Sequence, residues 1–253
     1  MQVDDEIQQH LKLYQQFNPK AHLIYRCVVG SRGYNLNHEN SDYDRRGVYL
    51  APAILEWSLG GVPDHYEHID KATGTDETYW ELGWYLRYLL KNNPTVLETL
   101  WSDNESVELA SDLFKHLRAH RHRFLSKRLI KTYGGYAASQ LHKMNISGLQ
   151  GKPIDWKNGM HLLRLLIAGY YALQEGFVLV RIEDNDLRQT LLAIREGNVP
   201  LPDFTHLRED WVRRFDNAAT HTQLPELPDF EFANTFLIKA RYTQAHSIYT
   251  VTS

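Results

Sequence analysis

The segment from Leu23 to Asp44 constrains the fold more than any other. An apolar run, Leu23-Ile24-Tyr25-Arg26-Cys27-Val28-Val29, breaks off at Gly30-Ser31-Arg32-Gly33. After a polar loop containing Asn35, Asn37, His38, Glu39 and Asn40, the chain re-enters a strand at Ser41. A short apolar run bounded by glycine predicts a buried β-strand ending in a tight turn. Glycine at both ends of the turn lets the backbone reverse and lets a ligand approach its N–H groups. Asp42 and Asp44 are two apart on the second strand, so their side chains share a face. Adjacent carboxylates repel, and such a pair persists when a divalent cation neutralises it. A loop alone, or a solvated acid pair alone, would be commonplace. In this order they form a phosphate cradle beside a metal site, the equipment of phosphoryl or nucleotidyl transfer.

This segment resembles the signature of the polymerase-β-like nucleotidyltransferase superfamily: a G-S or G-G turn, a D-x-D about ten residues on, and a third acid on a later strand. The closer similarity is to a bacterial and phage branch of predicted nucleotidyltransferases, the YcgL-like group with RNA-repair-associated members. Three stretches carry it: Gly30–Asp44, Asp76–Leu100 and Lys152–Gly176. In the second, Trp80-Glu81-Leu82 and Lys91-Asn92-Asn93-Pro94 match W-x-L and K-x-N-P landmarks, which implies that Asp76 is the third metal ligand. From the residues alone Asp70 or Glu77 could fill that role. In the third, Lys157, His161-Leu162 and Arg164-Leu165 match a K-x-x-x-H-L-x-R-L pattern. The resemblance implies that this stripe faces the cleft and touches phosphate or base; on spacing alone it is equally the wet side of a core helix.

The resemblance further implies an α+β fold. A small mixed sheet occupies residues 1–105, and a mostly helical domain, 106–253, closes the other side of a cleft. Asp42, Asp44 and Asp76 would hold two Mg²⁺ ions, or Mn²⁺ in their place. Gly30 and Ser31 would meet the phosphates of an NTP such as ATP, and a nucleoside monophosphate would pass to an acceptor hydroxyl with release of pyrophosphate. Lys127, Lys131 and Arg32 would offset the charge developing on pyrophosphate. An RNA end, DNA, a protein side chain and a small molecule all remain open as acceptors. Rival readings are a catalytically silent module that binds nucleotide or RNA, and an antitoxin-like enzyme that nucleotidylates protein.

Composition narrows the class. In 253 residues, 43% hydrophobic and 12% aromatic content suffices for a core. A formal net charge of −3 gives no overall pull toward nucleic acid or acidic membrane. Against that background the run Leu113–Ile154 stands out, with no acid but nine Lys and Arg and four His. It fits a triphosphate, a nucleic-acid backbone, or simply a solvated helix surface. Lys127 and Lys131, i and i+4, share a helix face there. His120 and His122 would point apart on a helix and do not suggest zinc. The single cysteine, Cys27, excludes an internal disulfide and a cysteine zinc site, which fits the cytoplasm. No signal peptide is read at the start, and no apolar run reaches the length of a membrane span.

Periodicity predicts a first helix over 4–17, a helical piece over 52–59 and a weak strand region over 64–76. Thr78 to Glu81 reads as a capping box opening a helix over 80–91, with a second helix over 95–101. A helix opening at 133 runs toward Lys143, a loop follows over 144–156, and a strong amphipathic helix spans 157–174. A short strand at 178–180, a helix over 186–196, and tail helices near 203–217 and 229–246 complete the chain. The basic run should border the cleft.

Overall fold

The computed structural model describes residues 17–249 apart from 40, 60, 71–73 and 150–152. The helix expected over 4–17 therefore lies outside the described residues but for Phe17. Strand β1 (Leu23–Val28) leads into a single helical turn, α1 (Gly30–Gly33), and the polar loop returns the chain as β2 (Tyr43–Tyr49). A short α2 (Ala53–Glu56) and the edge strand β3 (His65–Asp70) precede β4 (Thr75–Glu81). Helices α3 (Leu82–Leu90) and α4 (Pro94–Leu100) follow, then β5 (Val107–Ala110), which extends the sheet past residue 105.

The strands form one five-stranded mixed sheet in the order β3-β4-β2-β1-β5. β2 and β4 are parallel; the other neighbours are antiparallel. Alternation sets its two faces. Tyr25, Cys27, Val48 and Trp80 join the main core, while Tyr49 and Tyr79 point the other way into a small cluster with Phe17, Leu23 and Tyr66. The main core is completed by helices: α5 (Asp112–Ala119), α6 (Arg128–Leu149), α7 (Trp156–Glu175), α8 (Asn185–Arg195), α9 (Leu201–His221) and α10 (Phe230–Tyr249). The α+β class is as expected, with the helices concentrated in the C-terminal part. Among the described residues no helix is long and apolar enough to cross a membrane.

Three local expectations are corrected. Thr78–Glu81 is not a helix start but the end of β4, because Tyr79 and Trp80 pair in register with Gly47 and Val48 and are buried there. Glu81 itself caps α3, its carboxylate accepting from the Gly83 N–H at 2.5 Å. Second, α6 is one helix that runs through Gly134-Gly135 and on through the loop expected from 144, as far as Leu149. Two glycines cost roughly 1 kcal/mol each in a helix, and packing overrides them. At Gly169 of α7 an added Cβ would lie 2.5 Å from Phe215 Cε2 and 3.1 Å from Tyr133 Cβ, so α6, α7 and α9 meet at very close range. Third, Val178 and Val180 are buried but form no strand. The segment bonds instead to the loop after α1, where the Ile182 N–H donates to the Tyr34 carbonyl at 3.1 Å.

Candidate active site

β1 ends where the Val29 N–H donates to the Asp44 carbonyl at 2.9 Å, placing the glycine turn directly against β2. Gly30 has φ of +64°, and a Cβ there would come within 2.3 Å of Asp44 Oδ2. The Asp44 carboxylate therefore rests on the bare backbone of Gly30. The parallel register sets Asp76 of β4 opposite Asp44, so both side chains project from one face. Asp42, just before β2, leans over Gly74, whose Cβ would lie 2.9 Å from Asp42 Oδ1. Among the described residues neither the Asp42 nor the Asp44 carboxylate accepts a hydrogen bond or pairs with a base within 4 Å. Burial pushes the Asp44 carboxyl above its ordinary value; Arg46 and Lys157 oppose that shift, while Asp76 and Asp42 add to it.

Asp76 is differently placed. Arg46, two residues beyond Asp44 and on the same face, grips it with both nitrogens of its fork, Nη1 to Oδ1 at 3.2 Å and Nη2 to Oδ2 at 3.1 Å. Among the described residues no three His, Cys, Asp or Glu side chains converge as a metal-holding group. The expected triad is thus a pair, Asp42 and Asp44, with the third acid in register but turned to an arginine. Two unpartnered carboxylates are hard oxygen donors that fit a divalent ion such as Mg²⁺. Of the alternatives for the third acid, Glu77 is on the opposite face, 2.5 Å from Lys20 Nζ, and Asp70 sits on the edge strand opposite Thr75.

Two cavities meet at Asp44. One of about 370 Å³ is walled by Ser31, Asp42, Asp44, Lys157, His161 and Arg195. The other, about 270 Å³, shares Gly30, Tyr34, Asp44 and His161 and runs between the sheet and α6, past Arg46, Tyr136 and Gln140. α7 is started by Asp155, whose side chain accepts from the Asn158 N–H, and it presents Lys157 and His161 one turn apart. Burial, reinforced by Arg164, Lys157, Arg195 and Lys143, lowers the His161 pKa to about 3, so its imidazole is neutral near pH 7. Arg164, third in the stripe, is buried. It donates to Glu98 Oε1 at 2.9 Å, Tyr34 Oη donates to Glu98 Oε2 at 3.1 Å, and the guanidinium lies 3.8 Å from the Tyr34 ring centre. Arg164 thus ties α7 to α4 and to the residue that follows α1, as the floor of the second cavity.

Of the remaining sequence candidates, Arg32 serves the loop. Its guanidinium donates to the carbonyls of Ser41 at 2.8 Å and Asp42 at 3.3 Å and stacks on Tyr43, fixing the backbone that carries Asp42. Lys127 and Lys131 are not brought to the acids. Lys127 pairs with Glu226 at 2.5 Å. Lys131 is exposed and lies about half a turn round α6 from the cavity-lining Gln140. The basic run borders the cleft only in part: Tyr136 and Gln140 line the second cavity and Lys143 acts on His161, whereas Lys115 pairs with Asp112, Arg123 with Asp229 and Lys127 with Glu226. Two of those partner acids, Glu226 and Asp229, arrive from elsewhere in the fold. Sequence reasoning passed over Arg46, Arg195, Tyr136 and Gln140. The i+2 spacing from Asp44 was a usable signal for Arg46; nothing local marks Arg195, which reaches the cavity while donating to the Leu36 carbonyl at 2.5 Å.

Comparison with known proteins agrees with this geometry. The chain is similar to the uncharacterized protein YcgL of Bacillus subtilis (strain 168), 25% identical over 156 residues, which is 62% of this chain and 58% of that protein. The chain thus matches somewhat more than half the length of that relative. A family model described as the RNA repair pathway DNA polymerase beta family, RlaP, matches residues 3–239. With a match across nearly the whole chain, and an in-register pair of acidic strands beside a glycine turn, this protein belongs to the RNA repair pathway DNA polymerase beta family.

Proposed function

We propose that the protein transfers a nucleoside monophosphate from an NTP, with ATP as the first candidate, to an acceptor hydroxyl, releasing pyrophosphate. We favour an RNA end as that acceptor, a choice supported by a family description that names an RNA repair pathway. The observation that carries the reading is the pair Asp42 and Asp44, unpartnered among the described residues, in a cavity also lined by Lys157 and Arg195. Opposite charges lining one such space suit a metal-bound triphosphate. A divalent ion, Mg²⁺ or Mn²⁺, held by Asp42 and Asp44 would neutralise the triphosphate and make the attacking hydroxyl more acidic. Gly30 and Ser31 lie where the phosphates are cradled. Lys157 and Arg195 balance charge on the departing pyrophosphate, and neutral His161 offers a hydrogen bond without adding charge. The acceptor oxygen bonds to the α-phosphorus as the bond to the bridging oxygen breaks. The proton of the acceptor passes to Asp76, once Arg46 has released it, or to water. The buried, unpaired Cys27 fits a reducing compartment such as the cytoplasm.

One observation favours a second reading, nucleotide binding without transfer: Asp76 is held by Arg46 rather than facing the acid pair. Pyrophosphate release, measured with Mg²⁺, each of the four NTPs and an RNA oligonucleotide, separates the two. Transfer predicts release by the native protein and background rates for Asp42→Ala and Asp44→Ala, with native thermal melts. Full activity in either variant refutes the reading. Thermal stabilisation by nucleotide without any release supports the second. Label from the NTP appearing on protein rather than RNA would reassign the acceptor.

A further inference from the structure

Many cations of this chain pair with carboxylates; among the exposed ones that do not, four lie on adjoining helices. Arg87 and Lys91 at α3, and Arg128 and Lys131 at α6, have no carboxylate within 4 Å among the described residues. On α3 they alternate with aromatics. Trp84, Arg87, Tyr88 and Lys91 follow i, i+3, i+4, i+7 and so form one stripe, opposite the buried stripe of Leu82, Tyr85, Leu86 and Leu89. The Arg87 guanidinium lies 4.9 Å from the Trp84 ring centre and Lys91 Nζ 5.6 Å from that of Tyr88. The stripe joins α6 directly. Arg128 Nη1 donates to the Leu90 carbonyl at 3.3 Å, and Asn93 Nδ2 donates to Tyr136 Oη at 3.0 Å.

Tyr136 links this surface to the candidate active site. It is 39% exposed, yet it lines the cavity that contains Asp44. Along α6 the row Gln140, Tyr136, Thr132, Arg128 drifts by about 40° per step, since four residues slightly exceed one turn. The row therefore begins inside the cavity and ends on the surface, roughly 18 Å away. That length matches about five stacked nucleotides at roughly 3.4 Å each. Unpaired cations that follow a phosphate backbone, interleaved with aromatic rings on which bases stack, are what an unpaired nucleic-acid strand requires.

We propose that the Trp84-Arg87-Tyr88-Lys91 stripe of α3, with Arg128, Lys131 and Tyr136 of α6, is a track for a single-stranded RNA acceptor whose end enters the Gln140 cavity beside Asp44. This rests on the nucleotidyl-transfer reading above and supplies its acceptor side, giving Lys131 a place on the acceptor backbone rather than on the triphosphate.

The test is fluorescence anisotropy of a labelled single-stranded 12-nucleotide RNA (about twice the track) and of the corresponding blunt duplex, across a salt series. The native protein should bind the single strand at least about tenfold more tightly, because stacking needs unpaired bases. Arg87→Ala/Lys91→Ala/Lys131→Ala should flatten the log K against log salt slope by about 2, at roughly 0.7 per charge. Trp84→Ala/Tyr88→Ala should weaken single-strand binding about 25-fold, some fivefold per ring. The triple variant changes only exposed cations and remains informative if the aromatic pair impairs folding. Track-dependent binding by the native protein without pyrophosphate release sinks the catalytic reading and leaves the track standing. A native salt slope in the triple variant, equal affinity for duplex and single strand, or no binding of the single strand would overturn the track, even with transfer intact.

Discussion

Gly30→Ala is the sharpest probe of how the turn serves the acid pair. Two costs are readable from the structure. The backbone sits at φ of +64°, where a side chain costs about 1–2 kcal/mol. The new methyl would also stand 2.3 Å from Asp44 Oδ2, so the carboxylate must retreat by about 1 Å to reach ordinary van der Waals contact. The first cost belongs to stability and lowers Tm by roughly 2–8 °C for a chain of this size. The second belongs to the site, where a misplacement of about 1 Å is worth on the order of a hundredfold in rate. Gly61→Ala separates them. Gly61 has φ of +60° with nothing within 4 Å of its Cβ position, so it bears the backbone cost alone. Thermal melts should therefore move alike for both variants, while Mg²⁺-dependent pyrophosphate release collapses only for Gly30→Ala. Equal activities in the two variants would refute the argument that Gly30 exists to seat Asp44.

Two further outcomes follow from buried charge. Glu98→Gln leaves the Arg164 guanidinium uncompensated in a buried site and should cost about 3–5 kcal/mol in urea unfolding. Glu98→Leu/Arg164→Met should recover most of that loss, and a single-variant cost under about 1 kcal/mol would contradict the pairing. For Asp44 the folded-state pKa lies above the ordinary carboxylate value, chiefly through burial. Ionisation therefore opposes folding, and the associated stability is present at low pH and lost as pH rises through the raised pKa. Asp44→Asn should accordingly raise Tm at pH 7 while abolishing transfer. The gain should vanish as pH falls below about 4, where the aspartate is protonated in both states; a gain independent of pH would argue against this account.

Much of the site was legible because it lies within one punctuated stretch. The break at Gly30 marks the end of β1, and period-2 alternation puts Asp42 and Asp44 on one face. The i, i+4 spacing of Lys157 and His161 likewise survives into a shared cavity wall. What escaped depends on distant partners. Thr78 and Glu81 imitate a capping box, but the parallel pairing of β4 with β2 decides the conformation, and that pairing also brings Asp76 opposite Asp44. The basic run looked unbalanced because its counter-charges, Glu226 and Asp229, lie about a hundred residues further on and meet it only in the folded chain. Arg164 fits the stripe by spacing, yet Glu98 of α4 claims it for the interior.

The clasp of Arg46 on Asp76 gives the protein a built-in counter-ion. Three carboxylates crowded at the ends of neighbouring strands would strain an ion-free fold, and a resident guanidinium cancels one of them from within the same sheet. On the proposed function, the chain would then reach its native form without a bound cation. Arrival of a divalent ion with its nucleotide would be an event in the working cycle rather than a condition for folding.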